Sequence, residues 1–407
     1  MSSVRGRVIY NSRGQPTVEV DVTAGGRTGR AAAPSGASVG KHEAVSLPPG
    51  GPRASLDILA DHSSDLVGTD PADQAAVGNI LREMDGTPNY SRIGGALAYA
   101  VSVAAAESAA LVRGVPLYRA ISERDSYRLP VPLGNVLGGG AHAGRGTPDI
   151  QEILVCATGA RSVRDAIQTN MDVHRQLGSL LSERAGFTGG RGDEGGWAPN
   201  MNNEEALEVA ARACESLGYT LGKEVSLGVD FAASTQYDAG TNRYVYDRAG
   251  FENNPGEQLE FAADIISRYR LIYAEDAVHE EAFAEMSELA RRFPEVLVTG
   301  DDLTVTNHTI LERAIREGSC NAAILKINQA GSLHDAMLFA GAAQRNGIKL
   351  ITSHRSGEST NAHIVHVGIA TGSVMLKVGV VGGERVAKLN EMARVSGHDL
   401  IRGVAEV

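Results

Sequence analysis

Three carboxylates, two lysines and a histidine each follow directly on a short apolar run in the second half of the chain. The runs are VSLGVD ending at Asp230, LIYAED at Glu275 and Asp276, VLVTGDD at Asp301 and Asp302, AAILK at Lys326, LITSH at His354 and VMLK at Lys377. Short apolar runs of this kind read as buried parallel strands. In a (β/α)8 barrel such strands converge at their carboxyl ends on one mouth, where the chemistry sits. Asp230, Glu275 and Asp301 gathered there without a cation would repel one another, and their ionised forms would be costly. Hard oxygen ligands suit Mg²⁺, which takes few carboxylates and completes its shell with water and substrate oxygens. Lys326 and Lys377 are expected to be partly desolvated. Burial and nearby cations lower a lysine pKa and turn the amine into a usable general base.

Further acids lie on glycine-rich or strand-initial segments. RGDEGGWAP (191–199) carries Asp193 and Glu194, and its glycines suit close approach or movement over a ligand. DIQEILV (149–155) puts Glu152 at the start of a strand. Two carboxyl groups at one site can split their pKa values and leave one protonated as a general acid. SHRSGE (353–358) offers Arg355 and Ser356 beside His354, a guanidinium and a hydroxyl suited to phosphate or carboxylate. PSGASVG (34–40) is a loop whose backbone N–H groups could wrap a phosphate. GGGAHAGRG (138–146) is another flexible loop and carries His142.

The elements that must position these residues follow from pattern. Segments within residues 7–33 read as strands, with VEVDV alternating apolar and acidic residues as a half-exposed antiparallel strand does. Residues 72–85 and 93–113 read as helices, the second alanine-rich and closed by Gly114. Residues 122–128 are polar and read as a linker. Pro130 and Pro132 then open an apolar strand, and strands recur about every 25 residues, close to the spacing of eight βα units. NNEEALEVAARACESLG (202–218) has an asparagine cap, early glutamates and a closing glycine. The longer interval between Asp230 and Glu275 reads as a surface hairpin, DAGTNRYVYD. The expected organisation is a small α+β domain over residues 1–126 and a barrel over 127–407.

Composition bounds the rest. The chain has 407 residues, 43% of them hydrophobic, and a formal net charge of −11. That charge argues against nucleic acid or an anionic membrane as the main partner. The sequence shows no apolar run of about 18 residues, so no membrane span is expected, and the opening MSSVRGRVIYNSRG has no signal-like core. Three scattered cysteines, Cys156, Cys214 and Cys320, fit reduced thiols in a cytoplasm and structural roles.

NSRGQPTVEV, PSGAS, GGGAHAG with its following QE, GDEGGWAP, DDLTVTN, LKINQAGSL, SHRSGE and ERVAKLN together resemble the enolase family, in family order and over nearly the whole chain. The resemblance implies an α/β protein in which an N-terminal α+β capping domain precedes a modified (β/α)8 barrel that begins ββαα. It implies a homodimer or higher homo-oligomer, a small anionic phosphorylated substrate and two Mg²⁺ ions. The implied reaction removes water from 2-phosphoglycerate. Asp230, Glu275 and Asp301 would hold the tighter metal, with Ser38 on the second. Lys326 would take the C2 proton, and Glu194 with Glu152 would help the hydroxyl leave. Arg355 and Ser356 would hold phosphate, while Lys377, His354 and His142 would contact substrate. The chain departs from the usual family pattern at Asn11, Gln15, Ala277–His279, Ser359–Asn361, His366 and VGVVGG (378–383). Those departures keep two further readings open. One is a specialised paralogue such as a carboxyphosphonoenolpyruvate synthase of phosphinothricin-type pathways, with a phosphonoformate-derived donor; the other is a non-catalytic binding protein.

Overall fold

The structure is a computed structural model and describes residues 1–37 and 40–407. Ser38 therefore lies outside the described residues. The chain opens with a three-stranded antiparallel sheet, Ser3–Tyr10, Pro16–Ala24 and Arg27–Ala32, in that spatial order. The alternation in the middle strand works as its sequence requires. Val18, Val20 and Val22 are fully buried, while Asp21 on the other face pairs with Arg7 and with Arg30 at 2.6 Å. The buried face packs on the helix Gly95–Arg113, close enough that a Cβ on Gly29 would come within 2.2 Å of the Ala104 carbonyl oxygen. By length and hydropathy alone this helix would pass for a membrane span, which the sequence reading did not anticipate, yet 83% of its apolar window is buried in the fold. Truncating a fully buried side chain there, such as Leu97 to Ala, costs about 2–5 kcal/mol.

Eight strands then close into a barrel: Val131–Gly138, Glu152–Cys156, Ser226–Asp230, Tyr273–Glu275, Leu297–Gly300, Ala322–Leu325, Lys349–Ser353 and Met375–Gly379. The second strand runs antiparallel to both neighbours, and the helices Val163–Ser182 and Asn203–Ser216 follow it before the third. That reversal has a functional consequence. Glu152 begins its strand, whereas Asp230 and Glu275 end theirs, yet the reversed direction brings it level with them. In register, Glu152 faces Asp230 and Asp230 faces Glu275.

Local signals explain most element ends. Asn202 and Glu205 form a reciprocal capping box on the helix Asn203–Ser216. Gly114 takes a left-handed conformation (φ 64°) beyond the alanine-rich helix. The polar linker reading at 122–128 holds only in part, because Tyr127–Leu129 pairs in parallel with Ile401–Val404 near the C-terminus. The interval after Asp230 forms a three-stranded antiparallel ribbon, Tyr237–Asp238, Arg243–Tyr246 and Phe251–Asn253, one strand more than a hairpin. All three cysteines are buried free thiols.

Candidate active site

The barrel mouth gathers the sequence-selected residues around one cavity of about 330 Å³, lined by His142, Glu152, Glu194, Asp230, Asp301, Lys326, His354, Arg355, Ser356 and Lys377 among others. Glu275 sits directly behind that lining and is fully buried. Asp230, Glu275, Asp301, Lys326 and His354 stand at or next to strand ends, whereas Lys377, expected at a strand end, lies in the middle of its strand and His142 and Glu194 come from segments between strands.

On the side formed by the third to sixth and eighth barrel strands, lysines answer carboxylates. The Lys377 ammonium lies 2.8 Å from Asp230 Oδ2, 2.5 Å from Glu275 Oε2 and 3.2 Å from Glu152 Oε2. Tyr273, two residues before Glu275 on the same face, donates its hydroxyl to Glu275 Oε2 at 2.6 Å. Glu275 Oε1 is buried without a partner. Burial and the neighbouring Asp230 push the Glu275 carboxyl well above its ordinary range. Lys326 pairs with Asp301 Oδ2, and Gln329 donates to Asp301 Oδ1 at 2.9 Å.

The expectation of low lysine pKa values is corrected here. Burial does act to lower Lys326, but Asp301 outweighs it, and the amine is raised above its ordinary value. Lys377 is raised well above its own by Asp230, Glu152 and Glu275, against the same burial. Desolvation alone does not make a base when a carboxylate is desolvated with it.

On the opposite side, histidines answer carboxylates. Glu194 Oε2 accepts from Asn135 at 3.2 Å and lies 3.0 Å from His354 Nε2, while His142 Nδ1 is 3.1 Å from Glu152 and 3.8 Å from Glu194. His142 Nε2 is 3.1 Å from the Ser356 hydroxyl. Burial, reinforced by Glu194, raises Glu152 to about 7. Burial also acts to raise Glu194, but His354 and His142 overcome it and hold that carboxyl well below its ordinary value. The two acids are therefore pushed apart, Glu152 upward and Glu194 downward.

The glycines of 191–199 serve close approach. A Cβ at Gly195 would lie 2.3 Å from the Val381 carbonyl oxygen, and one at Gly379 would lie 2.0 Å from that of Glu194. The Asp193 N–H donates to the His142 carbonyl, which ties the two glycine loops together. Arg355 meets Glu43 in a bidentate pair at 3.1 and 3.2 Å, and Glu43 also accepts from Gln329. PSGASVGKHEA thus reaches the mouth through Glu43, a residue that the sequence reading passed over in that very motif.

Among the described residues, two acidic or mixed groups offer ligand atoms within 4.8 Å of one another, Asp276, Asp301 and Asp302, and His142, Glu152 and Glu194, and the expected set Asp230, Glu275 and Asp301 is not one of them. In the first, both Asp276 oxygens already accept the backbone N–H groups of Asp301 and Asp302 at 3.0 and 2.7 Å, so Asp276 shapes the turn. The positions that depart from the family pattern line none of this cavity. Asn361 accepts the Ala32 N–H at 2.9 Å, His366 meets Glu391 at 3.1 Å, and His279 stacks on Tyr237. Asn11 donates to Ser35 at 2.8 Å, and Val380 joins the barrel core.

Comparison with known proteins agrees with this geometry. Residues 1–121 match the model of the enolase N-terminal domain, and residues 126–401 match that of the enolase C-terminal TIM barrel domain. The chain belongs to the enolase family. It is 44% identical to the enolase of Methanothermobacter thermautotrophicus over 97% of this chain and 96% of that one. It is 41% identical to the enolase of Pyrobaculum aerophilum over 96% and 94% of the two chains. Against the enolase of Halobacterium salinarum the figures are 44% identity over 97% and 98%. The chain is accordingly an enolase-family lyase.

The mouth also holds residues that sequence reasoning did not select. Tyr273, Gln151, Asn135, Gln329, Glu43 and Arg385 each hold a catalytic candidate in place. A tyrosine inside the apolar run LIYAED and an arginine inside ERVAKLN were the available signals, since a polar group in a buried position must find a partner.

Proposed function

We propose that this enolase-family lyase dehydrates 2-phosphoglycerate to phosphoenolpyruvate with Mg²⁺. The observation that carries the reading is the pairing of a strand-end lysine, Lys326, with a cluster of buried acids across a small cavity from a split glutamate pair. The donor set suits a divalent cation. Asp230, Glu275 and Asp301 are buried oxygen ligands, and Glu275 Oε1 has no partner of its own. Bound there, the ion would supply positive charge for the carboxylate of the substrate as negative charge grows on it. The second ion implied by the family would draw on Ser38.

Lys326, once its carboxylate partner is engaged elsewhere, takes the C2 proton of the substrate. The electron pair left on C2 delocalises into the carboxylate and then forms the C2–C3 double bond as the C3–O bond breaks. The departing hydroxide takes a proton from the Glu152–His142–Glu194 set and leaves as water. Arg355 and Ser356 suit the phosphate, and Lys377 and His354 steady the bound anion.

The positions that depart from the family pattern lie outside the lining of the cavity. They lend no support to the phosphonate reading. Purified protein with Mg²⁺ and 2-phosphoglycerate should show the rising ultraviolet absorbance of phosphoenolpyruvate, and chelation with EDTA should abolish it. Absence of turnover with Mg²⁺ present, alongside product from a phosphonoformate donor, would sink the proposal.

A further inference from the structure

Arg385 is the largest fully buried side chain in the described chain, and nothing in the chemistry above requires it to touch substrate. It sits in the first turn of the helix Gly383–Val395. A cation there opposes the helix dipole, and an unpaired buried charge would be costly. Its position therefore calls for a compensating role. Four of the five donors of its guanidinium are accounted for, and Nε makes no hydrogen bond among the described residues. Nη1 donates to His354 Nδ1 at 2.8 Å and to the Arg355 carbonyl at 2.6 Å. Nη2 donates to the Ser356 carbonyl at 2.6 Å and to the Asp193 carbonyl at 3.1 Å. Nε lies 3.3 Å from Glu384 Oε1. One side chain thus holds the backbone next to Glu194 and the backbone next to His354.

A guanidinium has donors and no acceptor. A histidine nitrogen 2.8 Å from it must present a lone pair, so the ring proton of His354 belongs on Nε2. That nitrogen is buried, makes no hydrogen bond among the described residues and lies 3.0 Å from Glu194 Oε2, so a proton on it would be presented to that carboxylate. We propose that Arg385 is a positioning residue that locks His354 in the Nε2–H tautomer and joins the 191–199 and 353–358 segments, so that Glu194 is always met by a donor. The assignment rests on the active-site reading above. Burial, with the Arg385 charge adding to it and Glu194 and Glu358 opposing, pushes His354 down to about 4, which keeps the ring neutral at working pH.

The test is ¹⁵N NMR of the full-length protein with Mg²⁺ and ring-labelled histidine, His354 being assigned by loss of its signals in H354Q. The wild type should show a protonated Nε2 and a bare Nδ1 from pH 6 to 8. Arg385→Lys keeps the charge and loses the fork. It should show mixed tautomers at His354 and a kcat lowered about 10²-fold with KM for 2-phosphoglycerate within about threefold, because misplacement of reacting groups acts on the chemical step. A wild-type ring protonated on Nδ1, or on both nitrogens at pH 7, overturns the proposal even if the variant does not fold. So does a folded R385K with the wild-type tautomer and kcat. The tautomer is read without turnover, so a wild type inactive on 2-phosphoglycerate sinks the substrate reading and leaves this inference standing on its own result.

Discussion

The two sides of the barrel mouth solve the same electrostatic problem differently. On the metal side, Asp230, Glu275 and Asp301 sit at or just past the ends of strands whose mutual register fixes them, and the counter-charge comes from lysines. On the acid side, Glu152 and Glu194 are answered by His142 and His354, groups that carry charge or not according to protonation. The first arrangement stores negative charge that a divalent ion can take over. The second could pass a proton between neighbours without building a permanent charge. Rigid strand ends suit ligands whose spacing must not change, and hydrogen-bonded loops suit groups that exchange a proton.

The sharpest way to break this contrast is to remove the amine that works on the metal side. Lys326→Ala should lower kcat by about 10³-fold or more, at the upper range for loss of a general base, with the circular dichroism spectrum unchanged. Retained turnover would show that proton abstraction does not use the strand-end lysine. On the acid side, Glu194→Gln keeps the volume and the contact with His354 while removing the charge. It should lower kcat by about 10²-fold and leave Mg²⁺ affinity within about twofold, since no metal-side group touches Glu194 directly in the described residues. A large loss of Mg²⁺ affinity would mean that the two sides are one electrostatic unit.

The sequence was legible where a pattern carried a physical requirement. Charges after apolar runs gave the metal side and both lysines, because parallel strands in a barrel share one mouth. The middle strand of the first sheet was legible through VEVDV and the helix at 203–216 through its capping box. What could not be read was the pairing of side chains across distant segments. Nothing local in AAILK says that Asp301 will raise Lys326, and nothing in ERVAKLN says that Arg385 will reach His354. The strand at Tyr127–Leu129 was hidden for the same reason, since its partner lies at Ile401–Val404. The positions that depart from the family pattern suggested an altered mouth, but their side chains turn to packing partners outside the cavity lining.

A finer test of the metal side is Tyr273→Phe. The hydroxyl occupies Glu275 Oε2 and leaves Oε1 as the free oxygen. Without it the carboxylate loses the partner that selects which oxygen faces the ion. Mg²⁺ affinity should fall about tenfold, the lower range for groups that orient a metal ligand, when read by calorimetric titration. An unchanged isotherm would assign the orientation of Glu275 to Lys377 alone.

The smallest expected effect separates the sides by pH. Burial, and Glu194 after it, raises the Glu152 carboxyl from 4.5 to about 7 in the folded protein. The sign follows from linkage: a group raised in the native state favours folding in its protonated form, so its contribution is full below about 4.5 and is lost as pH rises through about 7. In the proposed reaction the same proton serves the departing hydroxyl. The protonated fraction of a group titrating at about 7 drops about threefold between pH 6.5 and 7.5, so kcat/KM at saturating Mg²⁺ should carry an alkaline limb of that size. Glu152→Gln holds the position permanently neutral and should flatten the limb while lowering the plateau. A limb that survives in the variant would place the titration on a group other than Glu152, and not on Lys326 or Lys377, which both sit above their ordinary values.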